Sequence, residues 1–161
     1  MQPEPPAREL LRQLATGNAV SGEVLATQLG VTRAAVWKQI AALRALGVPI
    51  EARSRAGYRM PWPTQLLHPP SIVSKLETAL GTPIHLHWEL DSTQDELARL
   101  LPDAPDLTVV LAEYQTLGRG RRSHGWLSPP GLGITLSCLK RFAGGPAGLS
   151  GLSIAMGVCV V

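Results

Sequence analysis

Cysteine is scarce in this chain of 161 residues, and the two that occur, Cys138 and Cys159, stand apart in apolar surroundings. The close spacing of cysteine zinc ligands is absent, and so is the cysteine density of a disulfide-stabilised scaffold. Both thiols are therefore expected to be buried and reduced, as in a cytosolic protein.

Two kinds of apolar segment are missing as well. The first six residues include three prolines and a glutamate, with no cationic start leading into an apolar stretch, so no secretory signal is expected. No apolar run reaches the ~20 residues that cross a bilayer. The sequence therefore predicts a cytoplasmic protein without a membrane partner.

Acidic residues are sparse in the first third of the chain. Residues 1–60 carry eight Lys or Arg and four Asp or Glu, whereas residues 61–161 carry seven and eight, and the formal net charge is +3. A basic surplus confined to one segment indicates a nucleic-acid partner for that segment.

Three helices are predicted in the basic segment, over 7–16, 22–29 and 33–46, from the spacing of its apolar residues. Ser21 and Thr32 stand at N-cap positions. The side chains expected to face a common core are Leu10, Leu11, Leu14, Val24, Leu25, Leu29, Val36, Ile40 and Leu43.

Two short strands are expected next, over 48–51 and 58–60, around a loop with Arg53 and Arg55 at its tip. Helix, glycine turn, second helix and basic hairpin together are typical of a winged helix-turn-helix DNA-binding domain, whose recognition helix enters the major groove. We assign residues 1–60 to such a domain. Its predicted DNA contacts are Thr32, Arg33, Ala34, Lys38, Arg53 and Arg55.

Two alternatives stay open for this domain. A three-helix packing module would have the same helices and make no DNA contacts. Trp37, on the third helix, is interpreted as a packing residue slightly in preference to a base or sugar contact.

Proline enrichment marks residues 61–70 as a linker, and a helix over 71–80 and a strand over 84–90 are predicted to follow it. His85 and His87 share one face of that strand, but no third ligand is evident, so they are interpreted as solvated surface residues and no metal site is predicted. Directly after the strand, Thr93 and Glu96 have the spacing of a capping box, which predicts Thr93 as the cap of a helix that ends at 100 or 101.

The segment from Gly118 to Trp126 packs three arginines and three glycines into nine residues. It lies between a buried strand predicted over 109–114 and an alternating strand predicted over 133–138. Glycine lets backbone amides wrap around an anion, and arginine adds forked donors. The segment is therefore expected to be a loop that holds a small anionic molecule, and a flexible basic tether that binds nucleic acid is the alternative.

Residues 149–161 are apolar and small, which predicts a buried helix. No cap, polar residue or turn signal closes it. We therefore expect residues 71–161 to form a second domain that is incomplete at Val161.

Taken in order, these motifs resemble those of the bifunctional biotin–protein ligases that also repress the biotin operon. The resemblance covers essentially the whole chain and implies an α+β protein, in which an N-terminal winged helix-turn-helix domain precedes an incomplete mixed α/β biotin ligase catalytic domain. The residues that carry it are Ser21-Gly22-Glu23, residues 29–36, Gly57-Tyr58, Asp91-Ser92-Thr93, residues 112–115 and residues 118–122.

The resemblance implies that the carboxylate of biotin attacks the α-phosphate of ATP, with Mg²⁺ bound through the nucleotide. Biotinyl-5'-AMP then passes its acyl group to a lysine of a biotin carboxyl carrier protein. A biotin-responsive repressor that binds operator DNA, and a homodimer in the full-length protein, are implied too. The implied catalytic residues are Arg119 and Arg121, and the implied biotin and adenylate contacts are Ser92, Thr93, Gln94, Gln115, Arg119, Gly120, Arg121 and Trp126.

This sequence departs from the family in three respects. Ser123 stands where the family loop continues with glycine, and Gln94 stands where asparagine is frequent. The Lys-Trp-Pro-Asn-Asp motif and the small C-terminal β-domain are absent, which puts the activity of this chain on its own in doubt. Two other functions are weighed beside the ligase: a winged-helix regulator with a non-catalytic small-molecule sensor, and a general RNA-binding protein.

Overall fold

The computed structural model of the chain describes residues 6–67, 72, 75, 81, 83–120, 122, 124–143, 145 and 149–160. Helices and strands occur in two groups, each with its own cluster of buried hydrophobic residues, and the mixture of helices and strands fits the predicted α+β class. The helix predicted over 71–80 falls almost wholly outside the described residues.

Three helices come first, with the bounds α1 (Pro6–Leu14), α2 (Gly22–Leu29) and α3 (Arg33–Ala45). Both predicted N-caps are confirmed. The hydroxyl oxygens of Ser21 and Thr32 each accept a hydrogen bond of 3.2 Å from the amide three residues later. Each cap satisfies one of the backbone donors that a helix start leaves unpaired, which fixes where α2 and α3 begin.

The core of this first group is built from the predicted side chains, with one clear exception. Seven of these side chains are at most 1% exposed, namely Leu10, Leu11, Leu14, Leu25, Val36, Ile40 and Leu43. Val24 is 45% exposed, so the prediction that it faces inward is wrong. Successive residues of a helix point about 100° apart, and in α2 it is Leu25 that turns to the core.

A hairpin of two antiparallel strands follows as the wing, with the bounds β1 (Glu51–Arg53) and β2 (Gly57–Arg59). β1 begins later than predicted, and Val48 and Ile50, which precede it, are buried in the core of the helices. Arg55 lies at the tip of the hairpin as predicted, whereas Arg53 is the last residue of β1.

The second group is a three-stranded sheet of order β3-β4-β5, with the bounds β3 (Ile84–Leu90), β4 (Val109–Gln115) and β5 (Thr135–Cys138). β3 and β4 are parallel and are joined through α4 (Thr93–Leu100), whereas β5 runs antiparallel to β4. Residues 109–114 are all buried, which confirms the prediction for the central strand. The loop between β4 and β5 therefore joins two neighbouring strands of one sheet, as the sequence predicts.

The last helix, α5 (Leu152–Val160), differs from the prediction. Residues 152–159 are exposed, with Ile154 73% and Val158 74% accessible, and Cys138 and Cys159 are exposed thiols rather than buried ones. The reason is that no helix or strand of the described residues covers α5. Within the same residues, no helix is both long and apolar enough to cross a membrane.

The two groups are tied together by the segment that follows the wing. Its Thr64 amide donates to the carbonyl of Ala15 at 2.8 Å, and its Leu67 amide donates to Glu113 Oε2 at 2.9 Å. The other oxygen of Glu113 accepts from the Gly131 amide at 2.8 Å. A buried carboxylate in β4 thus holds two distant segments of backbone.

Candidate ligand and nucleic-acid sites

One edge of the sheet collects the residues that the sequence predicts for ligand binding. Because β3 and β4 are parallel, both end at the same edge, where Leu90 pairs with Gln115. The chain after β4 stays beside the chain after β3, since the Thr116 amide donates to the carbonyl of Leu90 at 2.8 Å and the Leu117 amide to that of Asp91 at 2.9 Å. The Asp-Ser-Thr motif and the glycine–arginine loop therefore start side by side.

The cap of α4 is Ser92, not Thr93 as predicted. Ser92 has extended backbone angles, and its hydroxyl accepts from the Asp95 amide at 3.4 Å. Thr93 is the first helical residue, and its hydroxyl is 3.1 Å from Gln115 Oε1 and 2.9 Å from the hydroxyl of Ser137. The hydroxyl of Thr93 thus forms hydrogen bonds to residues of β4 and β5 instead of capping the helix.

A buried polar network joins α4, β4 and β5 at this edge. Gln115 Oε1 also accepts from the Thr93 amide at 2.7 Å, and the Gln115 amide donates to the Ser128 hydroxyl at 3.2 Å. Ser92 and Thr93 are only 2% and 3% exposed. Sequence reasoning missed Ser128 and Ser137, although the alternation of β5 places Ser137 on one face with Thr135.

The two ends of the glycine–arginine loop, residues 118–120 and 124–126, pair with each other through their backbones. Arg119 bridges Gly125, the Gly120 amide donates to the carbonyl of His124 at 2.7 Å, and the Trp126 amide donates to that of Gly118 at 2.8 Å. A Cβ at Gly118 would lie 2.8 Å from the carbonyl oxygen of Trp126, so the close approach needs glycine. These backbone bonds oppose the alternative of a flexible tether.

Other predicted ligand residues, in the loop and at the start of α4, lie outside the buried network. Arg119 forms an ion pair with Asp95 of α4 and keeps 57% of its side chain exposed. Trp126 is 58% exposed and Gln94 is exposed too, so the network of Thr93 and Gln115 does not include them. Arg121 lies outside the described residues. Asp95, which sequence reasoning missed, places a carboxylate beside the cation of the loop.

Asp91 contributes a second fixed charge close to this edge. A hydrogen bond from Arg99 and another from the Ser92 amide, the latter of 2.7 Å, lower the pKa of Asp91 from 3.8 to about 2. Both donors favour the carboxylate over the neutral acid. Asp91 is therefore ionised at neutral pH.

The predicted DNA contacts lie on the exposed side of α3 and on the wing. Arg33, Arg53 and Arg55 are brought together around a cleft of about 760 Å³ between the helix and the hairpin. Ala34 lines the same cleft, whereas Lys38 is exposed further along α3. Thr32, which caps α3, is exposed at the start of that helix.

Trp37 settles one alternative that the sequence left open. Its side chain is 65% exposed and lines the cleft between α3 and the wing, so the interpretation as a packing residue is wrong. The core face of α3 is occupied by Val36, Ile40 and Leu43 instead.

His85 and His87 are partly buried rather than solvated at the surface. In the part of the chain that the structure describes, no three residues of the types His, Cys, Asp and Glu cluster as metal ligands.

Comparison with known proteins agrees with the resemblance stated from the motifs. Residues 7–59 match the family model described as an HTH domain. The chain is 37% identical over 150 residues to "Bifunctional ligase/repressor BirA" of Escherichia coli (strain K12), covering 93% of this chain and 46% of that protein. It is 39% identical over 124 residues to the protein of the same name from Bacillus subtilis (strain 168), covering 76% of this chain and 38% of that protein.

The chain is thus related to the bifunctional ligase/repressors over most of its own length. It spans less than half the length of the curated relatives it matches.

Proposed function

We propose that this chain, a relative of bifunctional ligase/repressors, forms part of a biotin–protein ligase that also represses transcription in response to biotin. The observation that carries the proposal is the meeting of Thr93, Gln115 and the Gly118–Trp126 loop at one edge of the sheet. The proposal includes the division into a winged helix-turn-helix domain (1–60), a linker (61–70) and part of a catalytic domain (71–161). It also includes a homodimer of the full-length protein.

The proposed reaction has two steps. A carboxylate oxygen of biotin attacks the α-phosphorus of ATP, pyrophosphate leaves, and biotinyl-5'-AMP is formed. The amine of a lysine on a biotin carboxyl carrier protein then attacks the acyl carbon, and AMP leaves. The first step brings two anions together and builds charge on phosphorus, so it requires fixed cationic and amide donors. Mg²⁺ enters with the nucleotide.

The residues present suit these requirements. In the proposal, Ser92, Thr93, Gln94 and Gln115 contact the biotin ring and its surroundings, because hydroxyl and amide groups recognise a polar ligand by hydrogen bonds. Gly120 allows close approach of the backbone, Arg119 and Arg121 stabilise the charge, and Trp126 packs against the adenylate.

The ion pair of Arg119 with Asp95 supports the role of this arginine. It holds a guanidinium at the sheet edge, and because the pair is exposed it contributes at most about 1 kcal/mol. An incoming carboxylate or phosphate therefore displaces Asp95 at small cost.

The proposal is tested on the full-length gene product by calorimetric titration with biotin and with biotinyl-5'-AMP, and by release of pyrophosphate from ATP. Binding of both ligands and biotin-dependent pyrophosphate release are expected. Biotin binding without pyrophosphate release would favour the alternative function, a winged-helix regulator with a non-catalytic sensor. Failure to bind either ligand would reject the proposed ligase function.

Replacement of Arg119 by alanine separates the two ligands. We expect Arg119→Ala to speed the dissociation of biotinyl-5'-AMP by about 10- to 100-fold, the effect of a hydrogen bond to a charged group, and to change biotin affinity little. Stopped-flow displacement measures the dissociation rate of biotinyl-5'-AMP, and calorimetric titration measures the affinity for biotin. Arg141→Ala, an exposed arginine at the opposite end of the sheet, is the matched control. Equal losses for the two ligands would mean that Arg119 does not contact the phosphate.

A further inference from the structure

Trp37 is an exposed indole on the helix that the sequence assigns to DNA recognition. It is the fifth residue of α3, and 65% of its side chain is accessible although the chain has an apolar core directly beneath that helix. Tryptophan buries ~150–250 Å² when it packs, so an indole left in water is a feature to be explained. It is not part of the buried face of its helix, which Val36, Ile40 and Leu43 form.

The surroundings of Trp37 suit a polyanion. Arg33 lies one helical turn before it, Lys38 follows it, and Arg53 and Arg55 face it across the cleft of about 760 Å³. Arg33, Lys38 and Arg55 make no ion pair within the described part of the chain. Glu23 is the one acidic side chain in the lining of the cleft. This charge complementarity favours a nucleic acid over a second protein surface of mixed charge.

An indole cannot neutralise a phosphate, so Trp37 needs a different partner within the groove. The major groove offers one apolar group, the C5-methyl of thymine. The first turns of a recognition helix are the part that approaches the edges of the bases. We propose that Trp37 determines sequence specificity by contacting a thymine methyl group in the major groove. The inference rests on the proposed DNA-binding function. It adds that Trp37 recognises a particular base, thymine.

The experiment begins with the full-length wild-type protein and a random duplex library, from which bound sequences are enriched. Each thymine of an enriched duplex is then replaced by uracil, which removes the methyl group alone. At one thymine of each half-site, uracil is expected to weaken wild-type binding about fourfold, the effect of one buried methyl group. In Trp37→Ala, the same replacement is expected to change the affinity less than 1.5-fold, roughly the error of a gel-shift titration.

Lys38→Ala is the matched variant, because it removes a neighbouring charge and leaves the indole in place. It is expected to bind all duplexes more weakly, with a shallower salt dependence, and to keep the full effect of uracil. Thermal unfolding checks that both variants are folded. If Trp37→Ala is not folded, Trp37→Phe takes its place, because it changes the indole and keeps an apolar ring.

An equal effect of uracil in wild type and Trp37→Ala would overturn the inference, and so would unchanged affinity and sequence preference in Trp37→Ala. Loss of dimerisation in Trp37→Ala with an unaltered sequence preference would overturn it as well, in favour of a protein contact. Failure of the wild type to enrich any sequence would reject the DNA-binding function itself, and the inference with it.

Discussion

Asp91, directly after β3, shows how single side chains set the charge at the edge of the sheet where β3 and β4 end. Its pKa of about 2 is caused first by the hydrogen bond from Arg99. We predict that Arg99→Gln raises this pKa toward 3.8, measured by ¹³C NMR titration of the carboxyl carbon. The stability contributed by the ionised carboxylate is present above the ordinary pKa of 3.8 and is lost as the pH falls toward 2. Arg99→Gln should therefore flatten the decline of stability in acid.

Arg12→Gln is the control for this prediction, because Arg12 pairs with Glu9 on α1, away from Asp91. It should leave the pKa of Asp91 unchanged, and any change it makes to stability in acid comes from Glu9, whose pKa Arg12 lowers. A midpoint that stays near 2 in Arg99→Gln would mean that the Ser92 amide alone holds the carboxylate.

At the scale of elements, the wing depends on how closely it approaches the start of α2. Tyr58 exchanges two backbone hydrogen bonds of 2.8 Å with Val20, and Gly57 beside it has a φ of +99°. A Cβ at Gly57 would lie 2.1 Å from the carbonyl oxygen of Val20. We predict that Gly57→Ala lowers the free energy of unfolding by more than the roughly 1–3 kcal/mol of backbone strain alone, as measured by urea denaturation.

Gly30→Ala is the matched control for the wing. Gly30 also has a positive φ, +63°, but nothing lies within 4 Å of the position its Cβ would take. Its cost should be about 1–2 kcal/mol, that of the left-handed conformation. Equal losses in the two variants would show that the wing moves away from α2 without cost.

At the scale of the whole molecule, Glu113 of β4 connects the segment that follows the wing to the loop between β4 and β5. Its carboxylate is 3% exposed and accepts from the amides of Leu67 and Gly131, and burial raises its pKa. An amide in its place offers one oxygen and one NH₂ group, so one backbone donor faces another donor. We predict that Glu113→Gln costs about 1–3 kcal/mol and increases proteolysis between residues 60 and 67.

Thr108→Val provides the comparison, because Thr108 is fully buried next to β4 and its hydroxyl donates to a nearby carbonyl, that of Pro105, at 2.8 Å. It should lower stability without selective cleavage between residues 60 and 67. Glu113→Gln without any change in the cleavage pattern would show that Leu67 is held by other contacts.

Much of the fold could be predicted from the sequence because its signals are local. The hydroxyl of Ser21 or Thr32 needs only an amide three residues away, so α2 and α3 begin where predicted. The apolar run of β4 likewise requires burial on both faces wherever the strand lies. The position of the glycine–arginine loop between two neighbouring strands follows from the same kind of signal.

The site itself was only partly predictable, since its contacts join residues far apart in the chain. Thr93 meets Gln115 22 residues later and Ser137 44 residues later, and the Leu67 amide meets Glu113 across 46 residues. No local pattern predicts which hydroxyl caps a helix and which forms hydrogen bonds to residues of neighbouring strands. Strand order and register decide that.

The sequence by itself determined the helices of the first segment, their core faces, the central buried strand and the residues that carry the family resemblance. Only the tertiary structure decided that Trp37 faces outward, that Thr93 is bonded inward and that Arg119 is paired with Asp95. Propensity and periodicity act within a few residues, whereas the partner of a polar or aromatic side chain depends on which segments the folded backbone brings within hydrogen-bonding distance.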